Sequence, residues 1–495
     1  MKKQIRTALI SVFNKDGLEE IVRLLNKSGV KIISTGGTAE FIRKLKIPVT
    51  EVEDITKFPS VFGGRVKTLQ PQIFGGILNR RDNTEDKIEK EKHKIEDIDL
   101  VLVDLYPFEE TLAKGGSEEE IIEKIDIGGV ALIRAAAKNF EDVVVVPSKD
   151  QYKTLLNILK KGGETEKEER KKLAGIAFQI TSSYDSAIRS YFQGTPLRYG
   201  ENPHQSAMFV GDLSQSFIQL SGKELSYNNL IDTEAAISVV NDFQKPAFAI
   251  VKHMNTCGLS VKPEGKLYDA YKSAYKADPL SAFGGILAAN REVGEAIAKL
   301  IKKQNLFVEV IIAPSFSKKA LEILEEKKNC RILKWNNPLL PTKIVRTNFT
   351  GVLLQDRDNK IENEKDLKVV TKIKPTKKEV EDMLVASVAT KHLKSNSIAL
   401  VKSGTLISMG CGQTSRIDAL KQAIDKAKSF GFSLKGAVMS SEAFFPFPDC
   451  VELAGKVGIT SVIQPGGSKN DQASIDMADK YKMAMVISGY RHFKH

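Results

Sequence analysis

The sequence has few cysteines and no long uncharged apolar stretch. The four cysteines are Cys257, Cys330, Cys411 and Cys450. They are scattered without a CxxC pair, which argues against a disulfide scaffold or a structural zinc site and fits a reducing, cytoplasmic compartment. No stretch approaches about 18 uncharged apolar residues, so we expect no membrane span. The short apolar run near the N-terminus soon meets polar residues, which argues against a signal peptide.

The chain is also poor in tryptophan, with Trp335 as the single example among 495 residues. Lys and Arg number 74 against 62 Asp and Glu, which gives a formal charge of +12. No basic run is interleaved with aromatic residues, so nucleic-acid binding is not expected. The positive charge suits a small anionic substrate, but it equally suits a lysine-rich solvated surface, and both interpretations stay open.

Strand and helix patterns alternate over residues 1–145. Apolar, β-prone segments lie at 7–11, 30–34, 99–108 and 143–146, and helical patterns lie at 16–28 and after Gly128-Gly129. Ser117 and Glu120 form a capping-box pattern before another helix. This alternation predicts a parallel sheet wrapped by helices.

The rest of the chain predicts a second domain. Residues 149–194 look helical and charged and are interpreted as an extension of the first domain, which gives domains at 1–195 and 196–495. The remaining residues mix helix and strand with glycine-rich loops. The charged segment 355–378 is predicted to be an exposed loop or linker.

Three polar loops follow predicted strands in the N-terminal half. They are Ser11-Val-Phe-Asn-Lys15, Ser34-Thr-Gly-Gly-Thr38 and Gly63-Gly-Arg-Val-Lys-Thr-Leu-Gln-Pro71. Parallel α/β sheets bind ligands at this edge, and a glycine-rich loop before a helix suits a phosphate. Arg65 and Lys67 suit an anion. A plain turn or a solvated basic loop would fit each motif alone.

Taken in order, the N-terminal motifs resemble one known domain. SVFNK, STGGT, GGRVKTL, DLYPF and IDIGGVALIRAAAKN together look like the IMP cyclohydrolase domain of the bifunctional purine-biosynthesis enzymes. The resemblance implies a methylglyoxal-synthase-like parallel α/β fold. It also implies that a formylated aminoimidazole carboxamide ribonucleotide (FAICAR) closes to IMP with loss of water.

The resemblance assigns roles to matching positions in this sequence. The substrate-binding residues would be Ser11, Lys15, Ser34, Gly36, Gly37, Thr38 and Arg65. The catalytic residues would be Lys67, Tyr106, Asp126 and Lys138. A cation can stabilise the alkoxide formed on ring closure, a phenol can donate a proton, and a carboxylate can orient the amide. Without the resemblance, Tyr106 and Asp126 would be interpreted as a strand end and a helix cap.

The C-terminal half carries a second ordered set of motifs. LRYGENPHQSA begins at Leu197, AIVKHMNTCGLS ends at Ser260, and LKSNSIAL, MGCGQTSRIDA, SSEAFFPFPDC, VIQPGGS and SGYRHFKH follow. A His beside a Lys at a strand end suits proton transfer, although a lone His is more often structural. Together the motifs resemble the AICAR transformylase domain of the same family, which implies two cytidine-deaminase-like α/β subdomains and a site at a dimer interface.

This second resemblance assigns the formyl-transfer site. Lys252, His253 and Asn396 would be catalytic, with His253 as the base that takes the proton of a weakly nucleophilic amine. The nucleotide would bind at Arg198, Tyr199, Phe445, Asp449 and Arg491. The folate would lie at Ile463, Pro465 and Gly466. The phenylalanines around 445 would equally fit plain core packing.

The resemblance also implies the small molecules involved. The co-substrate would be 10-formyltetrahydrofolate, the other substrates AICAR and FAICAR, and the assembly a homodimer. No catalytic metal is expected, since the HxE and PCxxC elements of the zinc deaminases are not found in this sequence. A structural monovalent cation is compatible with the resemblance.

Five positions depart from the family pattern. They are Phe13, Gln70, Met254, Thr256 and Pro448. Two alternatives therefore stay open beside the bifunctional enzyme: a chain in which only the transformylase half works, and a non-catalytic nucleotide sensor. Formation of IMP from the purified formylated intermediate distinguishes the first from a bifunctional enzyme, and the activity of His253→Ala tests the second.

Overall fold

The computed structural model describes residues 2–336 and 340–495. The chain divides into two units, Met1–Gly194 and Thr195–His495. The predicted boundary between domains 1–195 and 196–495 therefore lies within one residue of this division.

The N-terminal unit contains a parallel sheet. The strands of this unit are β1 (Lys3–Gln4), β2 (Thr7–Ser11), β3 (Lys31–Ser34), β4 (Thr50–Glu51), β5 (Leu100–Val103), β6 (Val144–Val146) and β7 (Glu164–Thr165). Its helices are α1 (Leu18–Lys27), α2 (Gly36–Lys44), α3 (Val52–Thr56), α4 (Pro71–Leu78), α5 (Thr84–Lys92), α6 (Phe108–Ala113), α7 (Glu118–Ile122), α8 (Gly128–Lys138), α9 (Tyr152–Lys160) and α10 (Lys167–Gln193). The sheet order is β4-β3-β2-β5-β6, with all neighbours parallel, as the sequence predicts.

Most of the predicted helices and strands of this unit form where the local sequence patterns place them. Every residue of β5 is buried, because helices cover both faces of a parallel sheet. The helix α1 buries Leu18, Ile21 and Leu25 on one stripe. Ser117 and Glu120 make the predicted capping box of α7. The extension at 149–194 is mostly helical, but the short strand β7 interrupts it and pairs with β1.

The C-terminal unit is built around a second sheet. Its strands are β8 (Gly194–Leu197), β9 (Ala207–Val210), β10 (Phe217–Ser221), β11 (Ala247–Lys252), β12 (Asn255–Val261), β13 (Gly285–Ala289), β14 (Val308–Ala313), β15 (Arg331–Trp335), β16 (Lys343–Asn348), β17 (Gly351–Asp356), β18 (Lys368–Val369), β19 (Ile398–Lys402), β20 (Thr405–Gly410), β21 (Val438–Ser441), β22 (Ser461–Gln464) and β23 (Ala484–Ile487). Its helices are α11 (Tyr227–Asn241), α12 (Leu267–Ala277), α13 (Glu295–Lys303), α14 (Lys318–Leu324), α15 (Lys377–Lys391), α16 (Arg416–Ser429), α17 (Asp449–Lys456) and α18 (Asp471–Lys480).

One sheet of twelve strands spans two similar halves of this unit. The order is β10-β15-β14-β13-β11-β12-β20-β19-β21-β22-β23-β18. The halves meet where β12 pairs antiparallel with β20, through Leu259 opposite Leu406 and Ser260 opposite Thr405. One hydrophobic core draws residues from both halves, from Phe217 to Val486.

The two halves repeat one another at an interval of 150 residues. The hairpin β11–β12 pairs Lys252 with Asn255, and the hairpin β19–β20 pairs Lys402 with Thr405. Each has a register shift two residues before its last pair, after Ile250 in one and after Leu400 in the other. Because β12 and β20 are antiparallel, the two hairpin turns lie at opposite ends of the sheet.

The charged segment 355–378 is mostly an exposed loop, as composition predicts, but two parts of it are fixed to the C-terminal unit. Within it, β18 adds to the edge of the sheet by pairing with β23. Glu362 is buried and bonds to Ser387 and His492. These two features were not predicted, because a two-residue edge strand and one buried carboxylate leave no mark in a lysine-rich composition.

Candidate active sites

The predicted loops of the N-terminal unit lie together at the carboxyl edge of its sheet. Ser34 Oγ donates to the Ile10 carbonyl at 2.7 Å. Thr38 Oγ1 donates to the Val12 carbonyl at 2.9 Å and accepts the Val12 N–H at 3.2 Å. Both hydroxyls are buried, so in this structure they hold the β3–α2 loop against β2.

Lys67 lies over the start of α2. A Cβ on Gly36 would stand 3.4 Å from Lys67 Nζ, and one on Gly64 would stand 2.7 Å from it. Both glycines have positive φ, at 52° and 95°. The ammonium group and the first N–H groups of a helix thus converge on one place, an arrangement that favours an anion. Arg65 is exposed and forms an ion pair with Glu123.

Tyr106 and Asp126 are neighbours in the structure. Asp126 Oδ1 accepts the Gly129 N–H at 2.6 Å, and its carboxylate also faces the Tyr106 backbone N–H. Burial raises the pKa of Asp126, which these N–H bonds oppose. Burial, Asp126 and Glu123 raise the pKa of Tyr106, so its phenol keeps its proton at neutral pH.

An acidic residue that the sequence did not single out organises the first loop. The Asp104 carboxylate accepts the backbone N–H groups of Phe13 and of Asn14, the latter at 3.0 Å. Burial raises the pKa of Asp104. Lys15 Nζ donates to backbone carbonyls of its own loop, including that of Phe13 at 3.0 Å. Ser11 ends β2, half-buried beside this loop.

Phe13, one of the departures from the family pattern, packs against Tyr106. The ring centroids are 5.7 Å apart and nearly perpendicular. The Lys124 ammonium lies 5.6 Å from the Phe13 centroid and 5.9 Å from that of Tyr106. A cavity of about 540 Å³ opens beside this cluster, lined among others by Phe13, Asp104 and Tyr184.

Within one chain, Lys138 does not lie beside Tyr106 and Asp126. Asp126 directly precedes α8, and Lys138 is the last residue of that helix. At about 1.5 Å per residue, the two ends of the helix are roughly 15 Å apart. Lys138 is exposed there, so its predicted catalytic role stays a prediction.

In the C-terminal unit, Lys252 and His253 lie at one end of the long sheet. Lys252 ends β11, and its Nζ donates to the Phe283 carbonyl at 2.5 Å. His253 and Met254 form the exposed turn between β11 and β12. The Met254 N–H donates to Asp232 Oδ1 at 2.7 Å. Asp232 lies within α11, and nothing in its sequence context predicts this contact.

Asn396 reaches the same end of the sheet from the other half. Asn255 lies just after the turn, and its Oδ1 accepts hydrogen bonds from the Cys411 thiol at 3.4 Å and from the Lys394 N–H at 3.5 Å. Asn396 follows Lys394 by two residues. The predicted catalytic residues therefore lie at one edge, where the two halves meet.

Both the nitrogen and the oxygen of the Asn396 amide are hydrogen-bonded. Its Nδ2 donates to the carbonyls of Gln413 at 3.0 Å and Thr414 at 3.2 Å. Its Oδ1 accepts from Arg416 at 2.9 Å, and Arg416 also pairs with Glu442 at 2.9 Å. Both members of that pair are buried. Asn396 can therefore meet a ligand only through the remaining lone pair of Oδ1 or by releasing one of these bonds.

The predicted nucleotide-binding residues divide into exposed and buried sets. Arg198 and Arg491 are exposed, and each guanidinium lies over a neighbouring ring, that of Tyr199 at 5.3 Å and that of Phe493 at 4.5 Å. Asp449 is exposed at the start of α17. Phe445 is 0% exposed and belongs to a hydrophobic core, so its placement fits the core-packing alternative.

The predicted folate residues are likewise mostly interior. Ile463 is buried in β22, and Pro465 is buried after it. Gly466 is partly exposed and has a φ of 73°. The next two backbone N–H groups, of Gly467 and Ser468, donate to Asp471 at 2.7 and 3.1 Å. Of the three residues predicted to bind the folate, Gly466 is thus the one that reaches the surface.

A cavity of about 540 Å³ in the C-terminal unit lies away from His253. Its lining includes Lys262, Ser403 and Gly404, at the turn of the second hairpin. Lys252 and His253 instead face an open surface, where the nearby Phe283 is 58% exposed.

The described residues show neither a membrane span nor a cluster suited to a metal. Over residues 2–336 and 340–495, no helix combines the length and apolar character needed to cross a bilayer. The same part of the chain contains no group of three or more His, Cys, Asp or Glu side chains placed to hold a metal ion.

Comparison with known proteins gives matches along the whole chain. The family model described as "AICARFT/IMPCHase bienzyme" matches residues 136–426, and the one described as "MGS-like domain" matches residues 17–131. The "Bifunctional purine biosynthesis protein PurH" of Bacteroides thetaiotaomicron is 53% identical over 507 residues, covering 100% of this chain and 99% of the relative. Proteins of the same description from Rhodospirillum rubrum and Acetivibrio thermocellus are 46% and 45% identical, each over 99% of this chain and 99% and 100% of their own.

A parallel MGS-like unit followed by a doubled α/β unit defines a two-part enzyme with separate candidate sites. The chain belongs to the AICARFT/IMPCHase bienzyme family. It is accordingly a bifunctional enzyme of purine biosynthesis, with AICAR formyltransferase and IMP cyclohydrolase activities.

Proposed function

We propose that the two activities are divided between the two units, with formyl transfer at the His253 turn and ring closure beside Lys67. The observation that carries the first assignment is the contact of Asn255 with Cys411 and Lys394. This contact supports a site at which Lys252, His253 and Asn396 act on one substrate.

In formyl transfer, the AICAR amine attacks the formyl carbon of 10-formyltetrahydrofolate. His253 takes the amine proton as the new C–N bond forms, which prevents a cationic intermediate from reverting. Lys252 stabilises the developing oxyanion as a cation. Asn396, whose Nδ2 hydrogens are already used, accepts an N–H of the substrate through the free lone pair of Oδ1. The tetrahedral intermediate then collapses, the bond to the folate nitrogen breaks, and that nitrogen leaves with a proton.

In ring closure, the carboxamide nitrogen of FAICAR attacks its own formyl carbon. Lys67 stabilises the resulting alkoxide, and Asp126 accepts or orients the amide proton. The alkoxide takes the amide proton from Asp126 and becomes a hydroxyl. Tyr106, which keeps its phenolic proton because its pKa is raised, donates a second proton as the C–O bond breaks and water leaves. The formamido nitrogen then gives its proton to the Tyr106 phenolate as the C=N bond forms. The start of α2 and its glycines bind the phosphate, and Arg65 and Lys15 add positive charge at its rim.

Reciprocal variants test this division. His253→Ala is expected to lower formyl transfer by about 10²–10⁴-fold and to leave closure of purified FAICAR unchanged. Lys67→Ala with Tyr106→Phe is expected to do the opposite. Tetrahydrofolate release and IMP formation are measured separately on each variant. Loss of both activities in either variant, or of neither, contradicts the division.

We also propose that the co-substrate binds near the surface loop at Gly466 and that the nucleotide lies toward Arg198, Tyr199 and Arg491. Exposed guanidinium groups can form paired bonds to phosphate or carboxylate, and the loop at Gly466 reaches the surface. Arg491→Ala should raise KM for AICAR more than it lowers kcat.

A requirement for a monovalent cation stays a prediction, checked by replacing potassium with a large organic cation in the assay.

A homodimer is the proposed assembly. The hairpin of β16 and β17 is exposed along its whole length, with Val352 at 62%, Leu354 at 63% and Phe349 at 102%. A two-stranded hairpin is marginally stable alone, and exposed apolar residues of this kind are typical of an interface. A second copy would also cover the open surface beside Lys252.

Sedimentation of matched variants tests the assembly. Leu354→Glu is expected to weaken the dimer, whereas Ile88→Glu, at a 62% exposed position in the N-terminal unit, should leave it intact. A monomeric wild-type protein at micromolar concentration contradicts the proposal.

Four free cysteines also suit the cytoplasm, which we propose as the compartment.

A further inference from the structure

The turn that carries His253 has a backbone conformation that its residues do not favour. His253 and Met254 are the two central residues of the β11–β12 hairpin, with φ of 50° and 62°. Two-residue hairpins with both residues in this region prefer Asn-Gly. A side chain with a Cβ is disfavoured there because the Cβ comes too close to the following carbonyl oxygen. A contact from outside the turn is therefore needed to hold it.

Asp232 supplies that contact from α11. Its Oδ1 accepts the Met254 N–H at 2.7 Å, and the same carboxylate faces the His253 N–H. Hydrogen bonds to an ionised acceptor are roughly twice as strong as neutral ones. The carboxylate thus binds the two backbone N–H groups whose directions define the turn.

The second half of the unit repeats this device without the imidazole. Ser403 and Gly404 form the turn of the β19–β20 hairpin, with φ of 55° and 69°. Asp382 of α15 accepts their N–H groups at 2.8 and 2.6 Å. The 150-residue repeat therefore places one carboxylate behind each hairpin turn, but only the first turn carries a histidine.

We propose that Asp232 is a positioning residue for formyl transfer: by binding the backbone of the turn, it fixes the place from which the His253 imidazole reaches the reacting amine. This inference rests on the proposed role of His253. Misplacement of a catalytic group by about 1 Å lowers a rate by as much as about 100-fold. Loss of the Asp232 charge therefore affects kcat through the turn, although Asp232 itself does not touch the substrate.

The repeat provides a matched control for the test. Asp232→Asn and Asp382→Asn remove the same charge from the same kind of contact, and thermal unfolding should shift similarly in both. For formyl transfer, Asp232→Asn is expected to lower kcat by about 10- to 100-fold with little change in the KM for AICAR, whereas Asp382→Asn stays within about twofold of wild type. Adding Met254→Gly to Asp232→Asn should restore part of kcat, because glycine adopts this conformation without an external contact.

Each outcome decides the question. Equal kcat values for the two Asn variants, or no rescue by Met254→Gly, overturn the role of Asp232. If Asp232→Asn does not fold, Asp232→Glu, which keeps the charge on a longer side chain, is measured in the same way, and an unchanged kcat there overturns it. His253→Ala is included throughout. If that variant keeps full formyl transfer, the proposed function fails; if it loses the activity while Asp232→Asn keeps it, only the positioning role fails.

Discussion

Replacing His492 by Gln is expected to remove a pH-dependent contribution to the stability of the C-terminal unit. His492 is buried, with Nδ1 2.6 Å from Asp358 Oδ2 and Nε2 3.0 Å from Glu362 Oε1. Burial alone would lower the pKa of His492, but the bonds to the two carboxylates raise it to about 9. Because both ring nitrogens face acceptors, the ring carries a proton on each and is charged at neutral pH.

The magnitude follows from this raised pKa. The ordinary pKa of His is about 6.5, and each unit of difference is worth about 1.4 kcal/mol. Since solvent reaches Asp358, we discount the full difference to about 2 kcal/mol, or roughly 3 °C in the Tm of a unit of this size. The folded pKa is the higher one, so this contribution is complete below about pH 6.5 and is lost as the pH rises through about 9.

Thermal unfolding of wild type, His492→Gln and His204→Gln checks the reasoning between about pH 6.5 and pH 10. The difference between wild type and His492→Gln cancels other groups that titrate at alkaline pH. It should be largest at the acid end and shrink toward pH 10. His204 is exposed, so its variant should follow wild type. A difference for His492→Gln that does not change with pH would falsify the assignment of the charge to this ring.

Three further predictions concern the core and the thiols. A Cβ on Gly410 would lie 1.9 Å from the Ala419 carbonyl, so Gly410→Ala should lower Tm sharply, whereas Gly175→Ala, with open space around it in a helix, should raise Tm slightly. Phe445→Ala should destabilise the C-terminal unit by about 3–5 kcal/mol in denaturant unfolding, because the ring is fully buried. In native protein, iodoacetamide should label Cys411 before the other three thiols, which are buried and whose pKa burial raises to about 12; mass spectrometry showing another order would contradict this.

The fold of the N-terminal unit could be predicted because its signals are local. The apolar segment Thr7–Ser11 and the helix after it occur where the sequence places them, and the capping box at Ser117 forms as written. The resemblance implied two subdomains of one fold in the C-terminal unit, but the residue pattern alone did not show the repeat, since it is a repeat of backbone pairing and of one carboxylate contact. The exposed hairpin at Lys343–Asn348 also lacked a strong signal, because its turn has no Asn-Gly pair.

The site could be predicted in part for a related reason. Motifs at predicted strand ends indicated Lys67, Lys252 and His253, whose chemistry is visible in the residue type. For Lys67 the predicted strand was wrong, because its loop follows the helix α3. Asp104 and Asp232 were missed because they bind backbone N–H groups 90 and 22 residues away in sequence. Nothing in a single sequence marks a carboxylate as the partner of a distant backbone. Asn396 was found through its motif, but its full set of bonds required the structure.

The join between β12 and β20 has a consequence for how this enzyme can be divided. The ladder between these strands is short, with two residue pairs, yet the core beneath draws on both sides. If the C-terminal unit were expressed as two fragments cut near residue 370, each would bare a strand edge and part of an apolar layer. Such surfaces pair with whatever strand they meet first, including copies of themselves. Co-expression of the fragments should therefore yield protein that stays in solution, and separate expression should yield aggregates.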